Sequence, residues 1–304
     1  MVETLRFEAL ARRAVPGCRL LRVWKLTGGV SAEATGLEVA SANGSTMKLV
    51  VRRHGEADRR RNPHIARDEF RLLETLHAAR LAVPRPIFLD VSRDISDVPY
   101  LVMEYVEGDV DFSPTDLPVY LRRLAAELAR IHSFDISRAG VSFLPDQLAL
   151  CDLRIGRRPE RLNDLAGEIR IRDFLESSWP VAQRNPSALL HGDYWQGNII
   201  WRDGEVAAVI DWEDAAIGDP LCDLGKARLE ILWGFGEKAM RDFTDYYLLE
   251  TSLDTSTLPY WDLYSALRLA GNIAGWGLPE KKVRLMAEQL KWFVEQAISE
   301  ATRR

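Results

Sequence analysis

The stretch that most constrains this chain is residues 189–214, LLHGDYWQGNIIWRDGEVAAVIDWED, where three polar groups stand among residues that otherwise read as buried strand. Leu189 and Leu190 lead into His191, Gly192 and Asp193, and Asn198 follows five positions after that aspartate. Two β-runs come next, 197–201 and 205–210, and between them Arg202-Asp203-Gly204 carries the Asp-Gly step of a tight hairpin. Asp211 lies just past the second run. Such a hairpin is expected to gather Asp193, Asn198 and Asp211 at one edge. Two carboxylates and an amide are hard oxygen ligands, suited to Mg²⁺ taken together with substrate phosphates. A loop base with two metal ligands is what phosphoryl transfer from a nucleotide requires. Singly, each residue would read as a turn cap or a strand end, so the weight rests on what surrounds them.

A chain of 304 residues, 47% hydrophobic, can bury a large core, and its length predicts two compact units. The net charge of −5 gives no general reason to expect nucleic acid as a partner. The acid surplus is concentrated after residue 204, where 17 acidic side chains face 11 basic ones. Three cysteines, Cys18, Cys151 and Cys222, are far apart and lack CxxC spacing, which points neither to a disulfide framework nor to zinc. That fits a reducing cytoplasm. The first twenty residues alternate charged and apolar positions, and no apolar run reaches membrane-spanning length, so neither export nor a membrane partner is expected.

Residues 3–14 have helical spacing, ended by Pro16-Gly17. β-like runs follow at 20–26, 32–40 and 47–53, the last two joined by Ala42-Asn43-Gly44-Ser45. Between the first two, Thr27-Gly28-Gly29-Val30-Ser31 permits a tight reversal whose N–H groups, at Gly29, Val30 and Ser31, would cover phosphates. The third run carries Lys48 and Arg52 on one face and Arg53 on the other. Arg59-Arg60-Arg61 reads as a solvated loop, because no aromatic residues interleave. Residues 65–80 form an amphipathic helix, stopped by Val83-Pro84-Arg85-Pro86, with a strand beyond it at 87–91.

The run Val98 to Gly108 passes from β-pattern to a polar, glycine-ended link, and the boundary between units is expected there. From Asp116 the chain turns helical: 117–132, a helix pair within 159–180, then about 221–233, 237–250, 257–274 and 279–301. Arg154, Arg157, Arg158 and Arg161 read as a solvated helix start. Asp219 before Pro220 is a good helix N-cap.

His-Gly-Asp, four residues, Asn, then a strand ending Ile-Asp-Trp, followed by Gly-Asp-Pro-x-x-Asp-Leu, resembles the aminoglycoside phosphotransferase and choline kinase-like enzymes, small-molecule relatives of the protein kinases. The resemblance implies an α+β, bilobal protein-kinase-like fold, with a small β-rich N-lobe over 1–106 and a larger, mainly helical C-lobe over 107–304. It implies Asp193 as catalytic base, Asn198 and Asp211 as Mg²⁺ ligands, and ATP or GTP as phosphate donor. It assigns Arg52 to the α- and β-phosphates, a role that a permanently charged bidentate donor suits. ARDEFRLLETL matches the family helix whose first glutamate pairs with that cation, which is Glu69; Glu74 faces away by about 140°. The carbonyl of Glu104 and the N–H of Val106 would hold the purine, with Met103 at the back of the pocket. Asp219 and Asp223 would tie the catalytic loop to the following helix.

These features imply a kinase acting on a small-molecule hydroxyl, with an aminoglycoside or other antibiotic as one acceptor class. A metabolic kinase of choline, homoserine, sugar or hydroxyacyl type would share every catalytic residue. A silent nucleotide-binding regulator would not need base and metal ligands intact, and a glycosidase pair at Asp193 and Asp211 would not need Asn198 or Arg52. The chain lacks Asp-Phe-Gly and Ala-Pro-Glu, which argues against a protein kinase. The C-terminal acids, together with Trp233, Tyr246, Tyr247, Trp261, Tyr264, Trp276 and Trp292, would suit an amine-bearing acceptor if they lined one cleft.

Overall fold

In the computed structural model, which describes residues 2–26, 32–137, 140–160, 162, 167–271 and 273–303, the chain divides into two units. The first is Met1–Asp109 with Ile199–Glu213, and the second is Val110–Asn198 with Asp214–Arg304. The expected glycine turn at Gly29, Val30 and Ser31 falls outside the described residues.

The first unit is built on a five-stranded antiparallel sheet in the order β1-β2-β3-β5-β4. Its strands are Arg19–Lys25 (β1), Ala32–Ala40 (β2), Thr46–His54 (β3), Pro86–Asp90 (β4) and Tyr100–Glu104 (β5). Helix α1 (Val2–Ala14) sets Phe7, Leu10 and Ala11 against Leu37, Val39, Leu49, Val51, Tyr100 and Val102, alternate positions of three strands. Period 3.6 thus meets period 2 in one apolar layer. The arginine triplet lies in a short helix, α2 (Glu56–Arg61), rather than in a loop. It buries nothing, and Arg60 with Glu56 and Arg61 with Asp58 supply the one-turn ion pairs that support an exposed helix. Helix α3 (Ile65–Ala78) buries Leu72, Leu73, Leu76 and, among these apolar residues, Glu69.

The hairpin β7 (Ile199–Arg202) and β8 (Glu205–Val209) belongs to this unit, although it stands a hundred residues later in the chain. Asp109 and Trp201 exchange backbone hydrogen bonds of 3.0 and 2.8 Å, and the Val209 N–H donates to the Ala82 carbonyl at 2.7 Å. The Asp-Gly turn has φ of 53° at Asp203 and 78° at Gly204, the paired positive angles that match the twist of a two-residue hairpin.

The second unit is helical: α4 (Leu117–His132), α5 (Gln147–Gly156), α6 (Glu168–Ser178), α7 (Leu221–Phe235), α8 (Glu237–Glu250), α9 (Leu258–Ala270) and α10 (Glu280–Thr302). Helix α5 lies outside the spans expected from periodicity, although its start is marked by Asp146, whose side chain accepts the Ala149 N–H at 3.1 Å. Arg158 beyond it pairs with Asp173 and Glu176 of α6. Two short strands, Ala188–Leu190 (β6) and Ala216–Gly218 (β9), pair antiparallel and bracket the stretch that carries the loop motifs.

Several aromatics of the C-terminal helices are core. Tyr247, Trp261 and Tyr264 are buried, Trp179 packs on the last two, and Trp233 donates from Nε1 to the Met286 carbonyl at 3.0 Å. Many of the acids have cationic partners: Asp262 with Arg228, Glu230 with Lys226, Asp242 with Lys238, Glu237 with Arg241 and Glu280 with Arg284. The acidic surplus is therefore partly neutralised within the helices.

Candidate active site

In the first unit, the alternation of β3 turns Arg52 and Arg53 to opposite faces. Arg53 pairs with Glu33 at 2.8 Å. Arg52 is the centre of a carboxylate cluster: its Nε lies 3.2 Å from Glu69 Oε2, and its Nη2 lies 2.5 Å from Asp211 Oδ1 and 2.7 Å from Glu213 Oε2. The Arg52–Glu69 pair expected from the motif is present, and Glu74 is exposed. Lys48, on the same face, goes instead to Glu107 at 2.7 Å. Burial alone would raise the Glu69 carboxyl, but Arg52 and the His54 ring, 2.6 Å away, outweigh it and bring it down to about 2. The same carboxylates hold the Arg52 guanidinium firmly charged against its own burial.

Asp211 follows β8 with φ of 69°, a left-handed conformation that costs a residue other than glycine about 1 kcal/mol. The next residue pins the turn: Trp212 is 2% exposed and donates from Nε1 to the Val209 carbonyl at 3.0 Å. Met103 is buried on β5 opposite Val50, and Glu104 stands opposite Leu49 at the strand end. The Glu104 side chain accepts the Arg85 N–H at 2.9 Å, and Val106 follows in the non-strand link.

In the second unit, the loop after β6 is held from below by Asp223 of α7. One of its oxygens accepts the His191 N–H at 2.6 Å and the other the Gly192 N–H at 2.9 Å. Asp223 is fully buried, and the His132 ring at 3.3 Å together with these N–H groups keeps its carboxyl below the usual range despite burial. Asp219 caps the start of α7 by accepting the Leu221 N–H at 3.0 Å. Asp223 thus ties the loop to α7 as expected, whereas Asp219 accepts from Asn185 and the helix start rather than from the loop. Tyr194 anchors the loop to α4, donating to the Leu124 carbonyl at 2.9 Å. Gly192 has φ of 81°, and a Cβ there would stand 2.1 Å from the Asp214 carbonyl oxygen, so both conformation and space demand glycine.

Asp193 and Asn198 are brought together. The Asn198 Nδ2 donates to the Asp193 carbonyl at 2.9 Å and to its Oδ2 at 3.3 Å. Two cations absent from the sequence-based expectations complete the surroundings. Lys226 of α7 lies 3.1 Å from Asp193 Oδ1, and Arg268 of α9 donates to the Gly192 carbonyl at 2.5 Å and to Asp214 at 3.3 Å. Burial raises the Asp193 carboxyl, but Lys226 and Arg268 more than offset it and hold it below the ordinary range, ionised at neutral pH. The signal that could have found Lys226 is its place three residues after Asp223, one helical turn on and so on the same face of α7.

Among the described residues no three His, Cys, Asp or Glu side chains gather to hold an ion by themselves. A Mg²⁺ ion taken with nucleotide phosphates needs only one or two protein oxygens. The donor chemistry fits: Asp211 offers a carboxylate, and Asn198, with its NH₂ turned to Asp193, keeps its amide oxygen for a cation.

With this geometry in view, residues 29–265 match the sequence profile of the phosphotransferase enzyme family. The chain belongs to the phosphotransferase enzyme family. With that membership and the solved structures it resembles, the expected α+β kinase-like fold holds. Acyl-CoA dehydrogenase family member 11 of Rattus norvegicus is 27% identical over an alignment of 239 residues that covers 68% of this chain and 30% of that protein. The chain thus spans less than a third of the length of this curated relative. Among solved structures, a thermostable mutant of aminoglycoside phosphotransferase APH(4)-Ia in ternary complex with ADP and hygromycin B shares the fold at a TM-score of 0.65 with 16% identity, covering 95% of this chain and 97% of the other. Amicoumacin kinase in complex with AMP-PNP, Ca²⁺ and Ami gives 0.66 at 15% identity, covering 97% and 95%. No described helix of this family member is long and apolar enough to cross a membrane.

Proposed function

We propose that this phosphotransferase moves the γ-phosphate of ATP or GTP to a hydroxyl of a small molecule, with Asp193 as the base. The observation that carries this reading is the state of Asp193: partly exposed, ionised, and oriented by Lys226 and Asn198. A carboxylate so held accepts the hydroxyl proton as the oxygen attacks. Mg²⁺, when bound with the nucleotide, neutralises phosphate charge; Asn198 and Asp211 are the residues to hold it. Arg52, kept charged by Glu69, takes the α- and β-phosphates, which replace Asp211 and Glu213 on its Nη2 as the nucleotide enters. Gly29, Val30 and Ser31 cover those phosphates. Glu104 and Val106 present backbone groups to the purine, with Met103 behind it. The boundary of the N-lobe at residue 106 and a cytoplasmic setting belong to the same proposal, and the three buried free thiols fit a reducing compartment.

Two acceptor classes follow. An aminoglycoside or another hydroxyl-bearing antibiotic is supported by the structural neighbours. A hydroxyacyl metabolite is supported by the similarity to acyl-CoA dehydrogenase family members. Incubating the protein with Mg-ATP or Mg-GTP and a panel of aminoglycosides, macrolides, amino alcohols, sugars and hydroxyacyl compounds tests this. Nucleoside diphosphate and a phosphorylated acceptor should appear together, as measured by mass spectrometry; nucleotide binding without transfer to any acceptor would favour a silent regulator.

A further inference from the structure

We propose, resting on the reading of Asp193 as base, that Lys226 is the positioning residue that decides which oxygen of Asp193 meets the acceptor hydroxyl. Helix α7 carries Lys226 inward, where its side chain is only 3% exposed. Its Nζ lies 3.1 Å from Asp193 Oδ1 and 2.5 Å from Glu230 Oε1. An ammonium is costly to bury, and two carboxylates offset that cost. Elsewhere in the second unit the pairs Lys238–Asp242 and Arg241–Glu237 have the same one-turn spacing, but their cations stay in solvent and serve only the exposed helix. Lys226 differs from them in being buried and in reaching a second carboxylate, in the catalytic loop.

The two oxygens of Asp193 are thereby made unequal. Oδ1 is held by the ammonium, whereas Oδ2 accepts the Asn198 N–H at 3.3 Å, beyond the usual range for such a bond. That amide's shorter bond, 2.9 Å, goes to the Asp193 carbonyl. Oδ2 therefore keeps lone-pair capacity for an incoming hydroxyl, and the hold on Oδ1 fixes the direction in which it is offered. Glu230, one turn further along α7, steadies the ammonium in turn. Lys226 acts through Asp193 and does not touch the acceptor, so its loss should appear in turnover and leave nucleotide binding alone. A displacement of about 1 Å at a reacting group can cost on the order of 10²-fold in rate.

The experiment uses Lys226→Met with Glu230→Gln, which removes both charges together and leaves neither buried alone. kcat should fall about 10- to 100-fold, while the Kd for a non-hydrolysable Mg-nucleotide, measured by calorimetry, stays within about twofold. Lys226→Gln keeps an N–H donor and should recover part of kcat; it also carries the test if the double variant does not fold. In an Asp193→Asn background the same substitutions should cost less than about threefold, because the group through which Lys226 acts has changed. Wild-type kcat in the double variant, or an equal loss in both backgrounds, overturns the inference while leaving the phosphotransferase reading intact. Absence of transfer by the wild-type protein to every acceptor would instead remove the reading on which it rests.

Discussion

Asp193 and Arg52 show how single side chains take their chemistry from neighbours distant in the chain. Asp193→Asn keeps size and loses the basic oxygen, so it should lower kcat by about 10²–10⁴ while nucleotide Kd is nearly unchanged. Single-turnover kinetics separates the two, and wild-type turnover would remove the base assignment. Arg52→Ala should raise the nucleotide KM by about ten- to a hundredfold, the worth of charge-assisted hydrogen bonds to phosphate. Arg53→Ala should change it little, because Arg53 faces Glu33 on the other side of β3. Of this cluster, Arg52 and Glu69 were legible through the family resemblance, in the third-strand arginine and the ARDEFRLLETL helix motif. Glu213 and His54 were not, because nothing in their local spacing announces that they meet Arg52 and Glu69.

At the scale of elements, helix α7 holds the loop after β6 through Asp223 and Lys226, so anything that shifts α7 shifts Asp193, the proposed base. Gly225 lies between these residues, and a Cβ there would stand 2.8 Å from the Trp261 carbonyl oxygen on α9. Gly225→Ala should therefore destabilise the second unit by on the order of 1–3 kcal/mol through overpacking, readable in urea unfolding, and should lower kcat in the material that remains folded. Stability equal to wild type would show that α9 yields without cost. Periodicity placed most of these helices within a few residues of their observed ends, since an apolar stripe is a local property. It passed over α5, a short helix that buries only Gln147, Cys151 and Ile155. It also read the arginine triplet as loop, because a helix held by one-turn ion pairs has no apolar stripe to find.

For the molecule as a whole, buried charge makes stability depend on pH in a definite direction. Glu69 has its folded-state value lowered from 4.5 to about 2, so the folded form prefers the ionised carboxyl. Its contribution is fully present above about pH 4.5 and is lost as pH falls toward about 2, on the order of 3 kcal/mol in all. Unfolding free energy measured by urea titration should decline across that window, and the decline should be smaller in Glu69→Gln. The two variants falling in parallel would place the acid-sensitive group elsewhere. The site should also depend on a divalent ion: Asp211→Ala should weaken Mg-nucleotide binding more than Asn198→Ala, because a carboxylate neutralises the ion and an amide does not. Titrating Mg²⁺ against binding checks the ranking, and wild-type turnover in excess chelator would defeat both ligand assignments.

The sequence by itself determined the class of fold, through motifs that resemble a known family, most of the longer strands and helices, and the stretch from His191 to Asp211 in which base and metal ligands are sought. Those features are set by local periods, by turn chemistry such as Asp203-Gly204, and by residue types at short fixed spacings, all of which are written along the chain. Only the tertiary structure decided that the hairpin after Asn198 belongs with the first unit, through the Asp109–Trp201 and Ala82–Val209 backbone bonds. It also decided that Lys226 and Arg268 set the state of Asp193, that Tyr247, Trp261 and Tyr264 lie in the core, and that Asp262 pairs with Arg228. The reason is common to these cases. Burial and charge pairing depend on which side chains meet across separations of tens to more than a hundred residues, and a local pattern holds no record of the partner.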